Sequence, residues 1–206
     1  QNSPRVVADI PLRNRYYITM NSSEYLTNQF LIAMPGLEDE NFYHTVTYLC
    51  QHGEEGAMGI VINRPSGLHL NDILDQLDIS NSELPCAEQT IYIGGPVQTD
   101  RGFVLHTNGG TWDSTLQITP EISITTSKDI LAAIAHGKGP TKSLIALGYA
   151  GWGEGQLEQE ISANAWLNGP APEKVLFDLP ADARWEAAAN ALGVDLNLLS
   201  GEAGHA

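Results

Sequence analysis

The stretch TVTYLCQHGEEGAMGIVIN, residues 45–63, carries the pattern that decides the fold. Two β-rich runs, Thr45–Gln51 and Ala57–Asn63, flank the polar, glycine-bearing segment His52–Gly56. Two such runs around a short loop are typical of a β-hairpin. The second strand is expected to end at Arg64-Pro65, because proline cannot donate a backbone N–H to a sheet. This region therefore predicts an antiparallel sheet.

Outward from the hairpin, short apolar runs alternate with turn residues and with segments of helical period. The expected strands are Phe30–Met34, Thr90–Ile93, Phe103–Thr107, Leu116–Thr119, Glu121–Thr125, Ser143–Leu147 and Lys174–Leu179. The expected helices are Leu70–Leu77, a segment from residue 127 to about 136, Gln156–Leu167 and Asp182–Leu192. Helices and hairpins interleave without strict βαβ alternation. We therefore predict an α+β fold, in which a strongly bent, mixed and mostly antiparallel sheet forms a pseudo-barrel with flanking helices.

The length and composition fit one domain, because 206 residues with 42% hydrophobic side chains can bury a substantial core. The first 19 residues differ from the rest: they hold three arginines against the single acid Asp9, and Met20 follows them. We expect residues 1–19 to be a leader outside the native protein or a disordered arm, and residues 20–206 to form the single domain.

The charge of the chain is strongly negative. Ten Lys and Arg residues against 25 Asp and Glu residues give a net charge of −15. Nucleic-acid phosphates and anionic membrane surfaces would both repel such a chain. Its sequence also lacks the run of about 20 apolar residues that a membrane helix needs. We expect a cytoplasmic protein with neither a nucleic acid nor a membrane as partner.

A glycine-rich segment, Gly148–Gln156, follows a predicted buried strand and opens a predicted helix. Free amides at a helix N-terminus can bind an anion. Under this hypothesis a small ligand contacts Gly148, Gly151, Trp152, Gly153 and Gln156. The alternative is that the glycines only permit a tight turn beside Trp152.

Two arginines, Arg64 and Arg101, lie at predicted turns and add a second candidate feature. Together with Asn63, they could hold a carboxylate or phosphate in a charged fork. The alternative is that each arginine pairs internally. These three residues and the five of the glycine-rich segment are the tentative ligand-binding set.

Other chemistry has little support in the sequence. Cys50, His52 and Cys86 do not form a paired metal motif, so neither a metal nor a cofactor is expected, and catalytic residues remain unassigned. The segment Gly137–Ser143 is similar to a phosphate-binding loop, but it lacks a glycine before its second lysine and leaves a helix for a strand. These observations favour a protein without catalytic activity.

Eight segments taken in order carry a family resemblance. They are FLIAMPG (30–36), GAMGIVINRP (56–65), GGPV (94–97), DRGFVLH (100–106), TTSKD (125–129), ALGYAGW (146–152), GQLEQEI (155–161) and WL (166–167). Together they resemble the AlgH/YqgE family over about Ser23 to the C-terminal tail 204–206. The resemblance implies a bacterial cytosolic protein with a bent-sheet α+β pseudo-barrel and no settled activity, although some members carry the label of transcriptional regulator.

The residues and the resemblance together lead to three functional hypotheses. The first is a non-catalytic binding or regulatory protein that acts through a protein partner or a small ligand, without direct DNA contact. The second is an enzyme or sensor for a small anionic metabolite, either phosphorylated or a carboxylate. The third is a transcriptional regulator that binds DNA directly, which the net charge disfavours.

Overall fold

A computed structural model describes residues 25–79 and 88–199 of the chain. The expectations about residues 1–19, Met20, Cys86 and the tail 204–206 lie outside these residues. The strands are β1 (Gln29–Ala33), β2 (Val46–Gly53), β3 (Gly56–Val61), β4 (Pro65–His69), β5 (Thr90–Ile93), β6 (Val97–Thr107), β7 (Thr115–Gln117), β8 (Ile122–Thr125), β9 (Ser143–Trp152) and β10 (Trp166–Pro170). The helices are α1 (Leu70–Gln76), α2 (Lys128–Ala135), α3 (Gln156–Ser162), α4 (Ala181–Asn190) and α5 (Leu196–Leu199), and a π-helical turn covers Lys174–Asp178.

The sheet is mostly antiparallel and follows the order β10-β1-β2-β3-β9-β6-β8-β7, with β4 and β5 attached beside this path. The long strand β9 holds it together. Its first half, Ile145–Leu147, pairs with β5 in parallel and with β6 in antiparallel orientation. Its second half, Ala150–Trp152, pairs with β3. One strand thus belongs to both halves of a strongly curled half-barrel. The predicted α+β fold with a strongly bent, mostly antiparallel sheet is confirmed.

Gly148 marks the point where β9 passes from one half of the sheet to the other. Its φ is +74°, and a Cβ there would lie 2.5 Å from the carbonyl oxygen of Gly95 and 2.9 Å from that of Val97. Only glycine fits this close crossing of backbones. The prediction of a loop from Gly148 onward is wrong for residues 148–152, because β9 continues to Trp152.

Helices cover both faces of the sheet. Alternate residues of β1 illustrate this: Phe30 and Ile32 pack in one buried cluster with the π-helical turn and α4, while Leu31 and Ala33 pack in a second with Leu157 of α3. A third cluster packs α1 and α2 against the other half of the sheet. No helix in residues 25–79 or 88–199 has the length and apolar character needed to cross a membrane.

The predicted helix Gln156–Leu167 ends early. It stops at Ser162 because Asn164 takes a left-handed conformation with φ of +58°, which is common just beyond a helix end. The chain then runs into β10, which pairs with β1 from Trp166 to Pro170. Trp166 and Leu167, which were predicted to end the helix, therefore begin β10.

Three other local expectations are corrected. The run Lys174–Leu179 forms a π-helical turn in place of the predicted strand, since a short apolar run following a proline suits a helical turn as well. Pro65 begins β4, as proline can at the first position of a strand. Arg101 lies inside β6, where the pairing register shifts between Val97 and Gly102.

Candidate functional site

A cavity of about 480 Å³ lies between α1, α2 and the sheet. This volume falls within the range of about 300–1,000 Å³ that small-molecule sites occupy. The walls of this α1/α2 cavity are the apolar side chains of Leu68, Ile73, Leu77, Val104, Leu131 and Leu147. Its rim is formed by the exposed residues Gln76, Thr99, Asp100, Arg101 and Lys128. An apolar interior with a polar, charged rim suits a molecule that has one apolar and one polar end.

The cavity exists because α1 buries only part of its apolar stripe. Leu70 and Leu74 are fully buried in the core. Ile73 and Leu77 remain half-buried and face the cavity instead. The sequence pattern assigns all four residues to one helix face, so it does not distinguish core side chains from cavity walls. For this reason, sequence analysis missed the walls of the cavity.

Arg101 stands on the rim with only neutral partners among the described residues. Its Nη1 donates to Oε1 of Gln98 at 3.3 Å, and its Nη2 donates to Oγ1 of Thr126 at 3.2 Å. Its guanidinium carbon also lies 5.7 Å from the ring centre of Phe103. Both hydrogen bonds are long for charge-assisted ones, so the guanidinium retains capacity for an anionic acceptor.

The segment that carries Thr126, Ser127 and Lys128 is held rigidly by Asp129. The carboxylate of Asp129 accepts hydrogen bonds from the hydroxyl of Ser127 and from the backbone N–H groups of Asp113 and Ile130. Desolvation raises the pKa of Asp129, but these hydrogen bonds outweigh it and hold the pKa below its ordinary value. The start of α2 is thus fixed to the loop before β7, and this part of the rim is preformed.

Behind the cavity lies an arrangement similar to a nucleophile and its base. Nε2 of His106 is 2.8 Å from Oγ1 of Thr125, and Nδ1 is 3.0 Å from the carbonyl oxygen of Thr107. An Nδ1–H that donates to this carbonyl leaves Nε2 to accept from the Thr125 hydroxyl. However, Thr125 has no exposed surface and His106 only 1%. Thr125 borders the cavity with its side chain buried, so the pair supports the cavity wall.

The predicted residues Asn63 and Arg64 lie elsewhere. Arg64 donates to the carbonyl oxygens of Glu40 at 2.9 Å and Asn41 at 2.8 Å, and Asn63 bonds to the backbone of His44 and Val46. Both residues therefore hold the loop that joins β1 to β2. Neither lines the α1/α2 cavity.

The glycine-rich residues that follow Gly148 form a third location. Trp152 donates its indole N–H to Oε2 of Glu160, as does Trp166, each at 2.9 Å. Gln156 donates to the other oxygen of Glu160 and accepts from the backbone N–H of Gly153. Gly151 lies in the strand pairing with Met58. These contacts are those expected of the structural alternative, in which the segment forms a turn beside Trp152, and Glu160 lies at their centre.

Of the eight tentative residues, Arg101 alone lines the α1/α2 cavity, and Gly148 adjoins its wall residue Leu147. The structure does not bring the two arginines into one fork. Ligand binding by Asn63, Arg64, Gly151, Trp152, Gly153 and Gln156 stays a prediction. Thr126 and Lys128 belong to the segment TTSKD, which carries the family resemblance, and no sequence pattern marked them as ligand-binding residues.

A second cavity of about 360 Å³ lies over the connection Gly137–Ser143. Among the described residues that line it, the one cation, Lys142, already contacts Glu173 and Asp178 at 2.9 Å each. Its charge is compensated, so an anion gains little there.

In the described ranges no group of three or more His, Cys, Asp or Glu side chains is placed to hold a metal ion. Cys50 is buried, and burial raises the pKa of its thiol.

The curled sheet, the flanking helices and the preformed cavity define a mixed α+β half-barrel protein with a ligand-sized site. An AlgH-like family model matches residues 30–197, and the chain belongs to that family. It is 59% identical over 187 residues to a UPF0301 protein of Thioalkalivibrio sulfidiphilus, covering 91% of this chain and all of that protein. It is 58% identical over 189 residues to the UPF0301 protein AlgH of Pseudomonas aeruginosa, covering 90% and 98%.

Solved structures agree with this assignment. The solution structure of the AlgH protein from Pseudomonas aeruginosa matches with a TM-score of 0.74 at 56% identity, over 92% of this chain and all of that one. A crystal structure of a Corynebacterium diphtheriae protein matches with a TM-score of 0.66 at 21% identity, over 88% and 94%. The second match shows a shared fold. The expected family and the expected fold class are thus both confirmed.

Proposed function

We propose that this chain is a cytoplasmic, non-catalytic binding protein that takes up a small ligand in the α1/α2 cavity. The observation that carries the proposal is the cavity of about 480 Å³ with apolar walls and a charged rim. The absence of catalysis is supported by the buried state of the Thr125 hydroxyl beside His106. A regulatory effect would follow if the bound and free forms differ in affinity for a partner.

The test is a titration of the protein with 1-octanol, a neutral molecule with an apolar chain, followed by backbone amide NMR shifts. We expect saturable shifts confined to residues of α1, α2, β6 and β9 that line the cavity. The variant Ile73→Trp fills the cavity and should abolish these shifts. The matched control Leu198→Trp adds the same side chain on α5, where Leu198 is 83% exposed, and should bind as the wild type does. Shifts scattered over the surface, or binding that survives Ile73→Trp, would contradict the proposal.

A protein partner is a second candidate, favoured by an aromatic stack. The ring of His44 lies 3.8 Å from that of Tyr43 and 3.9 Å from that of Trp185, close to parallel to both. Tyr43 is 49% exposed. Aromatic side chains of this kind are common at the centre of protein interfaces. This surface is the one that Asn63 and Arg64 hold in place.

A photo-crosslinking amino acid in place of Tyr43 tests this candidate in cells. A partner on this surface predicts a discrete crosslinked species that is missing when the same amino acid replaces the exposed Glu121 on the opposite half of the sheet. Identical crosslinking patterns at both positions would exclude a specific partner at Tyr43.

A further inference from the structure

The positive charges of the chain are unevenly distributed. The described part has seven Lys and Arg residues, and two of them, Arg101 and Lys128, lie on the rim of the α1/α2 cavity. Three of the others are already engaged: Lys142 pairs with two carboxylates, Arg64 binds backbone carbonyls, and Arg184 is buried. In a chain of net charge −15, a cavity rim with two available cations stands out.

The two rim cations have no carboxylate partner among the residues that the structure describes. Within the described ranges, the hydrogen bonds of Arg101 go to the side-chain oxygens of Gln98 and Thr126. Lys128 is exposed and its ammonium makes no ion pair within the same residues. Among the described residues that line the cavity, the one acid on the rim is Asp100. Two positive charges and one negative charge leave the rim with a net charge of about +1, which matches a monoanion better than a phosphate dianion.

The interior of the cavity determines which apolar group the ligand can carry. Leucine, isoleucine and valine side chains from five elements form its walls. An unbranched or lightly branched hydrocarbon gains free energy there by leaving water. A ligand with one carboxylate at the rim and an apolar body between α1 and α2 therefore satisfies both parts of the site.

We propose that the natural ligand is a small amphipathic monocarboxylate, whose carboxylate is held by Arg101, Lys128 and the hydroxyl of Thr126 and whose apolar body lies between α1 and α2. This inference rests on the proposed function and specifies its ligand class. The guanidinium would exchange its two long bonds to neutral oxygens for charge-assisted bonds to the ligand, which are about twice as strong.

The experiment compares octanoate with 1-octanol, which share the alkyl chain and differ in charge. We expect octanoate to bind the wild type at least about tenfold more tightly, the difference that a charge-assisted hydrogen bond typically makes. Raising NaCl from 0.1 M to 0.5 M should weaken the binding of octanoate, because salt screens its charge, and leave the affinity for 1-octanol unchanged. In the series from hexanoate to octanoate, each added CH₂ should tighten binding about fourfold while it is buried.

Variants locate the carboxylate. Arg101→Gln keeps a polar side chain without the charge, and we expect it to bring the affinities for octanoate and 1-octanol to within about threefold of each other. The control Lys174→Gln removes one positive charge from an exposed residue outside the cavity and should keep the full preference. Arg101 is exposed, so the variant should fold, which thermal unfolding would verify.

The outcomes separate this inference from the proposed function. Equal affinity of the wild type for the two probes, or an unchanged preference in Arg101→Gln, would overturn the carboxylate inference while the binding function stands. Failure of both probes to bind would overturn the proposed function itself.

Discussion

The imidazole of His106 lies with its Nε2 2.8 Å from the hydroxyl of Thr125, and both side chains are almost completely removed from solvent. The pair joins β6 to β8 directly behind the α1/α2 cavity. Burial lowers the pKa of His106, and the hydrogen bond to the Thr107 carbonyl only partly opposes this effect. The native state therefore holds a neutral imidazole, and its stability depends on pH.

The sign of that dependence follows from linkage. The unfolded chain protonates His106 near pH 6.5, above the pKa in the folded state, so stability is fully present above pH 6.5 and is lost as the pH falls below it. We expect the melting temperature of the wild type to fall between pH 7.5 and 5.5, and that of His106→Gln to fall less. His136→Gln, at an exposed position, should follow the wild type. An equally steep fall in His106→Gln would contradict this account.

Gly148 should tolerate no side chain. In Gly148→Ala the new Cβ would meet two backbone carbonyl oxygens at under 3 Å, on a residue with positive φ. We expect a loss of about 3 kcal/mol or more in unfolding free energy, or failure to fold. The comparison is Gly36→Ala, where nothing lies within 4 Å of the added Cβ, and chemical denaturation measures both. Equal stabilities for the two variants would show that the crossing of backbones is looser than described.

Glu160 should matter for stability more than its surface neighbours. Glu160→Ala leaves the indole N–H groups of Trp152 and Trp166 without their acceptor, which should cost about 2–4 kcal/mol and change the tryptophan emission. Glu160→Gln keeps an acceptor oxygen and should cost less. Glu154→Ala, at an exposed position six residues earlier, serves as the control and should be nearly neutral. A neutral Glu160→Ala would mean that water replaces the carboxylate at both indoles.

Direct DNA binding should not be measurable. With a net charge of −15, the chain gains nothing from the release of counterions from a duplex, which supplies most non-specific affinity. We expect no change in fluorescence anisotropy of a labelled duplex at 20 mM salt and micromolar protein. Binding that weakens steeply with added salt would restore the hypothesis of a DNA-binding regulator.

The sequence predicted the fold well wherever local pattern decides structure. The hairpin of β2 and β3 and the helix α2 follow from β-rich runs, turn residues and helical period within about 20 residues. It failed at β10, because the pairing of Trp166 with Ala33 joins residues more than 130 positions apart. It failed at Lys174–Asp178 because a short apolar run is compatible with a strand or a helical turn.

The candidate site was less accessible from sequence, for a physical reason. Arg101 was a candidate because basic residues are few in this chain and it lay at a predicted turn, and the structure places it on a cavity. Arg64 had the same signal, yet it holds a loop through backbone carbonyls. Charge and turn position alone do not reveal which acceptors surround a side chain. The cavity itself depends on how far apart α1 and α2 pack, which no sequence pattern records.

The sharing of β9 between both halves of the sheet makes the protein one cooperative unit. A fragment that ends before Ser143 lacks the strand against which β3, β5 and β6 all form hydrogen bonds, and a fragment that begins there lacks those three strands. Hydrogen exchange of the β9 amides should therefore require global opening. Leu147 lines the cavity, and Trp152 at the other end of the same strand donates to Glu160 of α3. A ligand of the proposed kind would therefore contact the strand that also holds α3 in place.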